Sequence, residues 1–179
     1  MTRRLTDGQR AARRELCALA RTALDVCGVV AAKGLEADDR PRAWLLSVER
    51  WARGEESGPM LAARTRAMEA WRDATFRTVD LWGDALHWLD DAREDVARHP
   101  THAAMHASRV SGHLAAALSA LTGDSGDAAM ARVVAWRFAH RKAIASEETE
   151  RERAALAARL RDDKAAAELV LGTAQEMGR

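Results

Sequence analysis

The apolar residues of this chain recur every three or four positions through almost its whole length, and only short breaks interrupt them. That period belongs to helices with one buried face. Leu16, Leu19, Ala20, Ala23, Val26, Cys27 and Val30 make the first stripe, and Trp44, Leu45, Val48 and Trp51 the second. Leu61, Met68, Trp71 and Thr75 follow, then Val79, Trp82, Leu86, Leu89 and Val96. Ala103, Ala107, Val110, Leu114, Ala117, Leu118 and Leu121 continue the pattern. Met130, Val133, Val134, Trp136 and Phe138 come next, and Leu156, Leu160, Leu169, Val170 and Leu171 close it. About a fifth of the chain is alanine, with only three prolines. Alanine is the best helix former, and Arg, Leu and Glu are close behind. The expected fold is all-α: a single antiparallel bundle of six or seven helices in one domain over residues 1–179.

The breaks predict the helix ends. Thr6 and Gln9 have the spacing of a capping box, and Gly34 is a stop. Asp38, Asp39 and Pro41 suit the start of a second helix, which Gly54 ends. Ser57 and Pro59 suit the start of a third. One helix over 58–98 would be too long for a compact domain, so a break is expected near 78–83. Pro100 closes that region, and TGDSGD at 122–127 is the clearest loop, with Asp124, Ser125 or Asp127 able to cap the next helix. Ser146, with Glu147 and Glu148 after it, predicts a separate last helix ending at Gly172.

Charge narrows the partners. Twenty-eight basic residues balance 27 acidic ones, without the basic excess of a nucleic-acid binder. Arginine dominates lysine, which reads as a GC-rich genome. Cys17 and Cys27 are ten positions apart, about 15 Å along one straight helix, so they are expected as buried thiols of a reducing cytosol and not as a disulfide. The N-terminal residues lack the apolar run of a signal peptide, and no stretch approaches the roughly 20 apolar residues of a membrane span. The expected compartment is the cytoplasm, with no membrane partner.

Catalytic chemistry is hard to assemble. HPTHAAMHASRVSGH, residues 99–113, holds four of the six histidines. His102 and His106 form H-x-x-x-H, which can chelate zinc, but Ala103 stands where a zincin needs glutamate. No acidic residue precedes any of the four by three positions, so the di-iron pattern is missing too. A metal-dependent or small-molecule-binding enzyme on the His102/His106/His113 stripe would need a further ligand from elsewhere. His99, His102 and His106 are expected to lie exposed at a helix start. The chain has no G-x-S-x-G elbow and no P-loop, so no catalytic residue and no cofactor is assigned. Trp82 and Trp88 are six apart and cannot face the same way on one helix, which predicts one of them at the surface. With Asp90 and Asp91 they form a candidate partner surface, since tryptophan is enriched in binding hot spots. The Glu/Arg run over 147–161 reads as a solvated face of weak ion pairs, or as the contact of a homodimer or helical scaffold.

DDRPRAWLLSVERWARGE resembles the signature of a family of all-α immunity proteins, encoded beside polymorphic toxins in bacteria. The residues that carry the resemblance are Cys27, Asp39, Arg40, Pro41, Trp51, Arg53, Gly54 and Glu55. ASRVSGHLAAAL adds Arg109, Gly112 and His113 at matching spacing. The similarity spans about residues 16–121 through short motifs. Trp71 to Pro100 departs from it as an enlarged, tryptophan-rich insertion, and the charged tail after about 140 has no counterpart. The resemblance implies a non-enzymatic protein that binds a cognate toxin. Physically, Asp39 could cap the helix begun by Arg40 and Pro41, and Asp39 or Glu55 could pair with Arg109. Asp39, Arg40, Arg109 and His113 could also converge in a polar cleft.

Overall fold

The computed structural model describes residues 5–35, 38–75 and 80–177. It is helical throughout: α1 (Asp7–Ala32), α2 (Arg40–Ala52), α3 (Gly58–Thr75), α4 (Asp80–Arg98), α5 (Ala103–Thr122) and α6 (Gly126–Met177), with one 3-10 turn over Pro100–His102 before α5. The all-α expectation holds. The chain groups into two compact units, Met1–Lys142 and Ala143–Arg179.

Local chemistry accounts for the boundaries of the first unit. Thr6 Oγ1 accepts the Gln9 backbone N–H at 3.2 Å, and Gln9 Oε1 accepts the Thr6 N–H at 2.9 Å, so the capping box is complete. At the other end of α1, Gly34 has φ +68°. Gly34 N–H reaches Ala31 O at 2.9 Å, and Leu35 N–H reaches Val30 O at 3.3 Å. This double closure is the Schellman motif, which uses the left-handed conformation that glycine adopts without strain. The end of α2 repeats it, with Gly54 N–H on Trp51 O at 3.0 Å and Glu55 N–H on Arg50 O at 2.8 Å. Much of the W-x-R-G-E stretch is thus a helix stop. The region 58–98 is two helices, α3 ending at Thr75 and α4 starting at Asp80; of the break expected near 78–83, residues 80–83 are already helix, and 78–79, Val79 among them, lie outside the described residues.

The core is built around α1, whose Leu16, Leu19, Ala20, Ala23, Val26, Cys27 and Val30 are all buried. It packs against α2, α4 and α5, and α2 packs against α3. Trp44, Leu45 and Val48 of α2 and Met68 and Trp71 of α3 join this core. Trp44 Nε1 donates to Thr65 Oγ1 at 3.1 Å, giving the buried indole its hydrogen bond between α2 and α3. Leu86, Leu89 and Val96 of α4 and Val110, Leu114 and Leu118 of α5 fill the rest. Neither Cys17 nor Cys27 forms a disulfide, and both are buried. No helix among the described residues is long and apolar enough to cross a membrane.

The first turns of α6, up to Lys142, belong to the same unit, with Ala129 and Val133 buried and several polar contacts beside them. Ser125 Oγ accepts the Ala128 N–H at 3.3 Å at the helix start. Arg137 Nη1 donates to Ser111 Oγ at 2.7 Å and to Ala107 O at 3.0 Å. Arg137 and Arg141 flank Glu15 at 3.4 and 3.2 Å, and His140 Nε2 lies 2.6 Å from Asp25 Oδ2. In the second unit, residues 143–177 continue as helix through Ser146 and Gly172. The separate last helix starting at Ser146 does not exist. Ala, Glu and Arg dominate there and favour helix, pairs such as Glu150–Arg153 at 2.9 Å support it, and a single serine offers too little to stop it.

Candidate functional site

On α5, Arg109 and His113 are four positions apart and share a face. That face meets Trp88 of α4. The Arg109 guanidinium carbon lies 4.3 Å from the centre of the Trp88 ring. The His113 ring stacks on the same indole, 5.5 Å between centroids at 23°. His87 lies beside them, 5.6 Å from Trp88 and tilted by 50°. Arg72 of α3 extends the group, with Nη1 3.2 Å from His87 Nδ1. A guanidinium only donates, so Nδ1 is the acceptor side of that contact, and His87 Nε2 lies 3.9 Å from Asp91 Oδ2. Trp88 and His113 are half-buried and Arg109 is exposed. Among the described residues Arg109 has no carboxylate partner, which leaves its fork of donors available to a ligand.

Two groups of residues singled out separately in the sequence therefore meet here: Arg109 and His113 of the motif, and Trp88 of the tryptophan-rich segment. Two other members of the expected partner surface do not belong. Trp82 is 2 % exposed, because its position on α4 is in step with Leu86 and Leu89 on the core side. Asp90 turns inward and pairs with Arg93 at 2.7 Å; burial raises its carboxyl above the usual range against that pairing. Asp91 remains at the surface.

Among the described residues, no hydrogen bond, ion pair or ring contact joins Asp39 or Arg40 to Arg109 or His113. α2 and α5 both lie on α1, and the Arg109 guanidinium lies over Trp88. Asp39 occupies the cap position of α2 without a side-chain cap bond. Asp38 supplies it instead: Oδ1 accepts the Arg40 backbone N–H at 2.9 Å, and the carboxylate clamps Arg40 Nε at 2.8 and 2.9 Å. Those hydrogen bonds hold Asp38 below the usual carboxylate range. Glu55 pairs with Arg53 at 2.9 Å, not with Arg109. Arg53 also approaches Glu49 at 3.4 Å, and Glu49 takes Arg21 of α1 at 2.8 Å, so this end of α2 is tied to α1. Trp51 is half-buried under the Arg13 guanidinium, 4.8 Å away, and burial lowers the Arg13 pKa.

The histidine stripe is divided as well. His102 Nδ1 and His106 Nε2 both approach Asp95 Oδ2, at 2.8 and 2.7 Å. The hydrogen bond from His106, then that from His102, holds Asp95 below the usual carboxylate range. His99 stacks on His102 at 5.2 Å. His106, expected at the surface, is buried, because it lies one turn into α5 on the side of α4. His113 points to Trp88 instead. Among the described residues no group of three or more His, Cys, Asp or Glu is placed to hold a metal ion. Asp95, Arg72 and His87 were not expected from the sequence. His87 adjoins Trp88, but nothing local marks the other two.

No protein-family model, no curated protein and no solved structure matches the chain.

Proposed function

We propose that this protein is an immunity protein that neutralises a cognate bacterial toxin by direct contact, through the α4–α5 surface centred on Trp88. The observation that carries the reading is the Trp88 indole with Arg109 and His113 stacked on it. Tryptophan and arginine dominate binding hot spots, and a side chain already held by its neighbours loses little freedom on binding. Arg109 and His113 are also the residues of the R-x-x-G-H stretch that resembles the immunity family, while Trp88 lies in the segment where this chain departs from it. A toxin specific to this chain would be recognised where a shared motif meets a private insertion. Exposed Asp84 and Asp91, four positions before and three after Trp88 on α4, add acid on the face that carries Arg109, which supports steering of a partner of mixed charge. The reading places the protein in the cytoplasm and gives it no catalytic step and no cofactor. An enzyme on the histidine stripe has less support, since His102 and His106 serve Asp95 and His113 serves Trp88.

Co-elution with the products of neighbouring genes tests the proposal. A stable complex with a toxin gene product, lost on Arg109→Ala, is the expected result. Failure to bind every neighbouring product would refute it.

A further inference from the structure

The first turns of α6 carry an apolar face that the bundle does not use. Ala129 and Val133 are buried, but Met130, Val134 and Phe138 are exposed, and Phe138, at 70 %, is the most exposed large apolar side chain described. These three are spaced by four and lie along one side of the helix. Beside buried Ala129 and Val133, the helix is held through Arg137, His140 and Arg141 and their partners Glu15, Asp25 and Ser111, and Met130, Val134 and Phe138 are left over.

The residues of this face are spaced evenly about Val134, with complementary types at its two ends. Met130 and Phe138 each stand four positions from Val134, and Asp127 and Arg141 each stand seven. An isologous two-fold contact requires that when residue i meets j, j also meets i. We infer that α6 of a second copy packs antiparallel on this face, with the two-fold axis at Val134. Val134 then faces Val134 of the second copy. Met130 faces Phe138, a favourable pairing of thioether and aromatic ring. Asp127 comes opposite Arg141 at both ends, so the charges are complementary under the same two-fold. Arg141 keeps 55 % of its side chain exposed while it touches Glu15, which leaves it within reach. An anionic lipid surface fits less well, because Glu15 and Asp25 already engage Arg137, Arg141 and His140, and Asp127 stands on the apolar face. One pair of short helix faces buries less than the roughly 1,600 Å² of a standard interface, so the dimer depends on concentration.

Sedimentation equilibrium of the full chain over a range of concentrations reads the mass, and oxidative cross-linking reads the register. Cys17 and Cys27 are buried, so an introduced surface cysteine is the reactive one. The expected result is a reversible dimer that Phe138→Glu returns to monomer with an unchanged helical signal. Val134→Cys cross-links to itself under oxidant, and Met130→Cys alone does not. A monomer at every concentration overturns the inference. So does a dimer indifferent to Phe138→Glu, which would place the contact on another face such as that of Leu156 and Leu160. A monomer that sediments with anionic vesicles would show a lipid surface as the occupant. None of these outcomes bears on toxin binding at Trp88.

Discussion

Replacing Thr65 by valine should destabilise the protein by about 2 kcal/mol without changing any apolar contact much. Thr65 is 8 % exposed and Trp44 is fully buried, and the Trp44 Nε1–H has Thr65 Oγ1 as its acceptor at 3.1 Å. Valine keeps the shape of threonine and removes the oxygen. The indole N–H is then left in the core between α2 and α3 with no water to turn to. An unmade hydrogen bond of a buried donor costs about 1–3 kcal/mol, and the complete burial of Trp44 places this site away from the low end. A chain of this size shifts its melting temperature by about 2–4 °C per kcal/mol, so a fall of about 4–8 °C is expected. Urea unfolding of wild type, Thr65→Val and Thr65→Ser measures it, with serine recovering most of the loss. The decisive control is the same substitution in a Trp44→Phe background. Phenylalanine has no N–H to strand, so Thr65→Val should cost less than about 1 kcal/mol there. Equal losses in both backgrounds would refute the hydrogen-bond argument and leave only packing.

Arg109→Ala should cost less than about 1 kcal/mol of stability, the scale of an exposed cation–π contact, yet weaken toxin binding at least tenfold in calorimetry. A parallel loss in both would make Arg109 a structural residue. Asp95 has a depressed native pKa, so its contribution to stability is present above the unfolded value near about pH 4 and is lost as pH falls through the native one. Melting temperatures of wild type and Asp95→Asn over the acid range should therefore converge as pH drops; a constant gap would contradict this. Asp90 is shifted the other way by burial, so Asp90→Asn, which keeps the shape without the charge, should leave stability at neutral pH unchanged or raised. A clear loss in urea unfolding would mean that the Arg93 pair outweighs desolvation.

Much of the candidate site was readable as parts. Arg109, His113 and Trp88 each stood out in the sequence, but on different grounds and in different groups. Periodicity says that Arg109 and His113 share a face and that Trp82 and Trp88 do not. It also puts Trp82 in step with Leu86, Leu89 and Val96, but it does not say what Trp88 on the other side would meet. Arg72 and His87 joined the site only through the approach of α3 to α4.

What the sequence determined by itself is local. The capping box at Thr6, the glycine closures at Gly34 and Gly54, and the buried stripe of α1 depend on residues within one or two turns, so short-range spacing suffices to read them. Tertiary structure decided the partners. Arg109 rests on Trp88 and not on Asp39 because α2 and α5 each lie on α1. His106 turns inward because Asp95, eleven positions earlier, stands across from it on α4. The helix runs through Ser146 because a potential cap acts only where the chain also has reason to leave the helix, and Ala, Glu and Arg on both sides give it none. Helix faces follow from the period of the chain, but the neighbour each face meets is set by how the helices pack.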